Sequence, residues 1–298
     1  MEFLVNKNYA FVALRSKAYL VSGSLIILSL LLFFVMDLNY GVDFVGGTSL
    51  EVKFKDPVEL EKVRTVVSSK FGADRIQNFG SPNDVLIHVI EQNDKVAGEV
   101  LNLLNANFAT NQAEIRSVSQ VGPKIGEELK SSAVWATLWG LFFIVVYLAI
   151  RFHWKWGLAA VVALSHDVLI TLGVFVVLRL EFSLGAVAAF LTIVGYSVND
   201  TIVVFDRIRE NLRLLKRGLT FEQVVDKSIN ETLSRTIMTS LMTLLSVIVL
   251  LLLGGEVIRP FAWALLTGIL VGTYSSVFVA SPVLIEWQAG EDLKAKAK

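Results

Sequence analysis

The chain has 298 residues, 54% of them hydrophobic and 18% charged, with a mean hydropathy of +0.61; an ordinary soluble domain is about 25% charged, so a simple soluble globular protein is excluded. Lys plus Arg and Asp plus Glu both number 27, which leaves no overall basic field to hold nucleic acid through counterion release. Without cysteine there is no disulfide, thiolate nucleophile or Cys-ligated metal centre, and His88, His153 and His166 are too scattered in sequence to suggest a metal site.

A short N-terminal segment, 1–17, precedes the first of six apolar stretches, 18–36. Each of the six is near the ~20 residues a spanning helix needs. The first is too long for a signal-peptide core and is followed by no small-x-small cleavage pattern, so it reads as a retained helix. Residues 37–132 differ in kind, being polar and patterned like a folded domain. Thr48, Leu50, Val52 and Phe54 alternate with Ser49, Glu51, Lys53 and Lys55, the period of a half-buried strand. Asp56, Pro57 and Glu59 look like a helix start, followed by Leu60, Val63, Val67 and Phe71 at helical spacing. Ile76–Phe79 reads as a strand, Ser81–Asp84 as a turn, and Val85–Ile90 as another strand. A helix over Asp94–Phe108, with Val96, Val100, Leu103 and Leu104 inward, and a last strand over Glu114–Val121 complete a β-α-β-β-α-β order. That order predicts an α+β ferredoxin-like domain.

The remaining spans fall in 133–287, at about 133–150, 156–178, 182–205, 237–253 and 261–287, with a basic cytoplasmic loop at about 206–235 and a tail at 288–298. Lys and Arg are retained on the cytoplasmic side. Fifteen of them lie in the N-terminal segment, the second-to-third turn, the basic loop and the tail, against Arg179 and Arg259 in the short loops of the other side. Both termini are therefore expected in the cytoplasm and the folded domain outside, as a periplasmic domain. Arg207, Arg209, Glu210, Arg213, Lys216 and Arg217 read as a surface helix held to the membrane by its basic face.

No GxxxxGK[ST] string occurs, so no nucleotide-splitting site and no cofactor is expected. The string GVDFVGGT, with Gly41, Asp43, Gly46 and Gly47, reads as a turn that needs positive-φ glycines, or as a gate between bundle and outer domain. Ionisable groups inside spans are costly and mark functional sites. Asp167 falls near the middle of the third span, and its neighbour His166 points about 100° away, so the two need not share a partner. Asp200 lies in the fourth span among Tyr196, Ser197, Asn199 and Thr201, oxygen-bearing groups that could support a carboxylate, relay a proton or coordinate sodium through Asp200 and Asn199. Arg235, beside Ser234 at the entry to the fifth apolar stretch, reads either as a snorkelling interfacial residue or as the partner of Asp200. The second reading is preferred, because Thr232, Ser234, Thr236, Thr239 and Ser240 carry polarity into the span.

GVDFVGGT (41–48), SHDVLITLG (165–173), GYSVNDTIVVFDRIREN (195–211) and ETLSRTIMTS (231–240) occur in one order along the chain. In these motifs and in its six-span layout the sequence resembles the SecD–SecF family of bacterial protein-export membrane proteins, on the side of the smaller, SecF-type subunit. The resemblance implies membership of the resistance-nodulation-division superfamily and a second half supplied by SecD. It also implies work beside the SecYEG channel and SecA, often with YajC, on a preprotein substrate, driven by the proton or sodium motive force across the bacterial inner membrane. By motif matching Asp200 would be the carboxylate and Arg235 the basic group of the path, with Asn199 where SecD-type sequences place an Asp. Three rivals stand beside this expectation: a small-molecule exporter subunit of the same superfamily, a non-catalytic assembly scaffold whose polar groups join helices, and an intramembrane aspartyl protease using Asp167 and Asp200.

Overall fold

The computed structural model describes residues 9–71, 75–91, 93, 95–152, 154–214 and 220–287. Expectations placed on residues 1–8, Asp94, His153, Lys216, Arg217 and the 288–298 tail lie outside them. In chain order the elements are α1 (Arg15–Met36), β1 (Asn39–Tyr40), α2 (Val42–Val45), β2 (Gly47–Phe54), α3 (Leu60–Phe71), β3 (Arg75–Phe79), β4 (Ser81–Val89), α4 (Val96–Asn107) and β5 (Ala113–Val121). After these come α5 (Pro123–Arg151), α6 (Trp154–Val177), β6 (Glu181–Phe182), α7 (Leu184–Leu214), α8 (Phe221–Leu253) and α9 (Gly255–Ser275), the last continued by a π-helical turn, Ser276–Ala280. Six helices among the described residues are long and apolar enough to cross a membrane: this is a multi-pass membrane protein.

The spans divide into an inner and an outer set. More than half of the most apolar window of α6 and of the α9 region is buried in the protein, and half of that of α7, but only 11% for α1 and α5 and 17% for α8. Close approach in the inner set depends on missing side chains. A Cβ on Gly268 of α9 would collide with Ile193 of α7, and one on Gly173 of α6 would collide with Ser29 of α1, the small-residue packing that replaces the hydrophobic drive in lipid. Pro282 follows the π turn. Its ring cannot donate to, and crowds, the carbonyl four residues back, so the helix widens by one residue and the Ser281 hydroxyl bonds the Ser276 carbonyl at 2.9 Å.

Several helices outrun their apolar stretches. The basic segment beginning at Asp206 is no separate surface helix but the last turns of α7, through Leu214, and α8 starts at Phe221, well before the apolar run. The cause is ion pairing between helices rather than lipid contact. Arg151 binds both oxygens of Asp206 at 2.8 and 2.6 Å, and Arg207 binds Glu231 of α8 and Glu210. Asn211 donates to Ser228 and Glu231.

Between α1 and α5 stands a sheet of order β3-β4-β2-β5, antiparallel throughout. Leu50, Val52 and Phe54 of β2 are fully buried; α3 covers them with Val63, Val67 and Phe71, and α4 with Val96, Val100 and Leu104. Two differences from the sequence reading exceed a residue or two. Asp56–Glu59 stay outside α3, which begins at Leu60. Ser81–Asp84 belong to β4, because Gly80 at φ 86° makes the hairpin turn by itself.

GVDFVGGT is more than a turn. Val42–Val45 form one helical turn between the positive-φ pair Gly46 and Gly47 (φ 77° and 109°) and the two-residue strand β1, which pairs in parallel with β6. Asp43 accepts the Leu184 N–H at 2.9 Å, the Gly41 N–H donates to the Phe182 carbonyl, and a Cβ on Gly41 would meet the Glu181 carboxyl. The motif thus ties the root of the outer domain to the start of α7.

Candidate ion-coupling site

Two carboxylates sit inside the bundle, on neighbouring helices and in different surroundings. Asp200 of α7 is 2% exposed. The Ser240 hydroxyl of α8 donates to its Oδ2 at 3.4 Å, and Ser240 shares a 2.7 Å hydrogen bond with Thr273 of α9. One turn back on α8, the buried Thr236 hydroxyl has no hydrogen-bond partner among the described residues. Arg235 makes no ion pair with Asp200, so direct pairing of the two is corrected. Its side chain is on the exposed side of α8. Asn199 is exposed as well; successive residues on a helix point about 100° apart, so Asn199 and Asp200 do not converge on one buried sodium cage. Among the described residues no cluster of three or more His, Cys, Asp or Glu could hold a metal ion.

Asp167 of α6 is 1% exposed, and its neighbour His166 is 3% exposed. The Ser197 hydroxyl of α7 and the Ser275 hydroxyl of α9 donate to Asp167 Oδ2 at 2.5 and 2.8 Å. Oδ1 lies 2.8 Å from His166 Nδ1. Among the described residues His166 and Asp167 share no third partner but bond each other, the imidazole folding back along the helix surface. Its Nε2 reaches Ser22 of α1 at 3.0 Å; Ser22 is 3.2 Å from the Tyr274 hydroxyl, which donates to the Ala18 carbonyl at 3.3 Å. Four helices therefore meet at this acid.

Among the other residues singled out from sequence, Tyr196 bonds Thr243 at 3.2 Å, Thr201 is buried, and Ser234 is half-buried. Sequence reasoning missed Ser240, Thr273 and Ser275 as partners of the two acids, and Ser22 and Tyr274 as partners of His166. Serine and threonine in a span satisfy their own helix carbonyls as readily as a neighbour, as Thr273 does with Ile269, and nothing in their spacing separates the two uses.

The family described as "Protein export membrane protein SecD/SecF, C-terminal" matches residues 101–290, and that described as "SecD/SecF GG Motif" matches 32–58. A curated protein translocase subunit SecF of Rhodothermus marinus is 45% identical, the alignment covering 97% of this chain and 96% of that one. The chain belongs to the SecF family. Its relatives include the SecF of Vibrio alginolyticus, also 45% identical, over 94% of this chain and 90% of that one. A crystal structure of SecDF, a translocon-associated membrane protein from Thermus thermophilus, superposes on this SecF-family chain with a TM-score of 0.88 at 41% identity. That match covers 97% of this chain and 40% of the solved one. A second SecDF structure, in a super-membrane-facing form, gives a TM-score of 0.73 at 40% identity. The chain thus spans nearly the whole of its curated SecF relatives and about two fifths of the solved SecDF chains. It is a protein-export membrane protein.

Proposed function

We propose that this chain is the SecF half of a SecDF-type machine of the bacterial inner membrane, joined to SecD, which uses the proton or sodium motive force to assist late preprotein translocation through SecYEG. YajC and, indirectly, SecA complete the set of partners, and both termini are cytoplasmic. The span of two fifths of a fused SecDF chain supports SecD as the missing half. Residues 37–132 are read as a periplasmic ferredoxin-like domain, supported by two helices packed on one side of an antiparallel sheet in which the first strand is central. The absence of any Walker string from the sequence supports an ion gradient, rather than nucleotide, as the energy source.

The observation that carries the coupling mechanism is Asp200, a carboxylate sealed in the bundle with hydroxyl partners from α8 and α9, beside Arg235 and Asn199 on the exposed side. Burial disfavours the ionised form and a nearby cation favours it, so movement of Arg235 relative to Asp200 changes the affinity for a proton. With Arg235 and Asn199 outward, the path runs along the surface that faces the second half. Asp167, braced by Ser197 of the same helix as Asp200, belongs to the same path; Thr201, Tyr196 and Ser234 support it, and Gly41, Asp43, Gly46 and Gly47 pass its movement outward.

Preprotein release from membrane vesicles containing this chain with its SecD partner tests the proposal. An imposed gradient should speed release in the wild type and not in Asp200→Asn. Equal acceleration in both would leave the scaffold reading in possession, since an uncharged isostere preserves a scaffold.

A further inference from the structure

The hydrogen bonds around His166 permit a proton count. Tyr274 has one hydroxyl hydrogen and gives it to the Ala18 carbonyl. The bond between Tyr274 and Ser22 must then be donated by Ser22, which uses the only hydrogen Ser22 has. His166 Nε2, 3.0 Å from the same Ser22 oxygen, must therefore donate. At the other end Asp167 Oδ2 accepts from Ser197 at 2.5 Å and from Ser275 at 2.8 Å, the Ser275 hydroxyl also lying 3.1 Å from the Gly272 carbonyl. The 2.8 Å contact with Oδ1 is then donated by Nδ1. In this arrangement, with Tyr274 donating to Ala18 and Asp167 ionised, both ring nitrogens carry hydrogen, and the pair holds one proton more than a neutral histidine beside an ionised aspartate.

We infer that His166 and Asp167 form a second proton-binding site in the bundle, separate from Asp200, whose loaded state is transmitted to α1 through Ser22 and Tyr274. The inference rests on the reading of Asp167 as part of the ion path. Release of the proton from Nε2 leaves a lone pair there. Ser22 turns to donate to it, Tyr274 turns to donate to Ser22, and the Ala18 carbonyl loses its partner. One proton thus reverses two hydrogen bonds and cuts a third, the tie from α9 to the backbone of α1, the helix that leads into the outer domain.

A crevice of about 360 Å³ between α1 and α6, bordered by Tyr19, Ser22, Gly23, Ser165 and His166, reaches the ring. The Tyr19 hydroxyl is buried and has no hydrogen-bond partner among the described residues. The groups facing the pair are Ser22 and Tyr19 from α1, Ser197 from α7, and Tyr274 and Ser275 from α9. Asp200 lies three residues beyond Ser197 on α7, while Arg15 and Glu286, 3.3 Å apart, are the charges that act on Tyr19.

Nitrogen NMR of 15N-histidine-labelled protein in lipid bilayers reads the ring directly, with His166→Gln identifying its signals among the three histidines. The wild-type ring should show both N–H groups and the Asp167→Asn ring only one. A single N–H in the wild type, or the same number in the two proteins, would overturn the site. Tyr274→Phe, which keeps the ring stack, tests the transmission: amide exchange over residues 15–22 should loosen with His166 deprotonation in the wild type and be independent of it in the variant. A pH-linked change that survives Tyr274→Phe would overturn that part. If Asp200→Asn abolishes gradient-driven release while the His166 ring shows a single N–H, the ion path stands and this site falls; if His166 shows both N–H groups while Asp200→Asn responds normally, the reverse holds.

Discussion

Ser197 links the two acids. It lies on α7 one turn from Asp200, and its hydroxyl holds Asp167 at 2.5 Å. Ser197→Ala should strip a buried carboxylate of one of its two serine donors and destabilise the bundle by roughly 1–3 kcal/mol. Thermal unfolding in detergent checks this against Ser165→Ala, whose hydroxyl is exposed and bonds only the Val161 carbonyl. Arg235→Met should remove most gradient-dependent release, about tenfold or more, while leaving unfolding within about 0.5 kcal/mol of wild type, because the side chain is exposed and forms no ion pair among the described residues. Vesicle release and melting of the same preparation separate these outcomes. Asp167 and Asp200 stand out in the sequence because a carboxylate within an apolar run is costly. The His166 contact does not, because spacing fixes the direction of Cα–Cβ bonds and leaves side-chain torsions open.

Element boundaries show where hydropathy stops being informative. A span is recognised by the residues that meet lipid, whereas the inner ends of α7 and α8 are held by Arg207, Glu231, Asn211 and Ser228, which meet each other. The strands of the outer domain were legible because β2 has one wet and one dry face; β1 and β6, two residues each, are too short to carry a period. Local caps add their own terms. Thr220 and Gln223 form a reciprocal capping box at the start of α8, so Thr220→Ala should cost about 1 kcal/mol, read as a lower melting temperature with release unchanged. Gly173→Val should cost more, on the order of 1–3 kcal/mol, since the added carbons enter Ser29 and force α1 from α6.

Across the whole molecule, the outer domain is fastened to the bundle at three places: α1, α5 and the Gly41–Thr48 segment. The last joins the domain's root to the start of the helix that bears Asp200, which α5 also grips at its far end through Arg151 and Asp206. Asp43→Ala should free the Leu184 N–H, cost about 0.5–2 kcal/mol, and broaden the distribution of distances between spin labels on the outer domain and on α7. An unchanged distribution would show that α1 and α5 alone set the domain's position.

The fastening also has a schedule. Asn39, whose side chain donates to the Arg179 carbonyl, is separated from it by 140 residues of chain. The outer domain's last strand ends at Val121, so at a synthesis rate of about 5–20 residues per second the domain is complete roughly 3–12 seconds before its anchor exists. The four-stranded sheet draws all its pairing from residues 47–121 and can close while it waits. The newborn outer domain therefore folds as a body tethered first by one helix and then by two, and acquires its fixed attitude only when the hairpin of the third and fourth spans arrives.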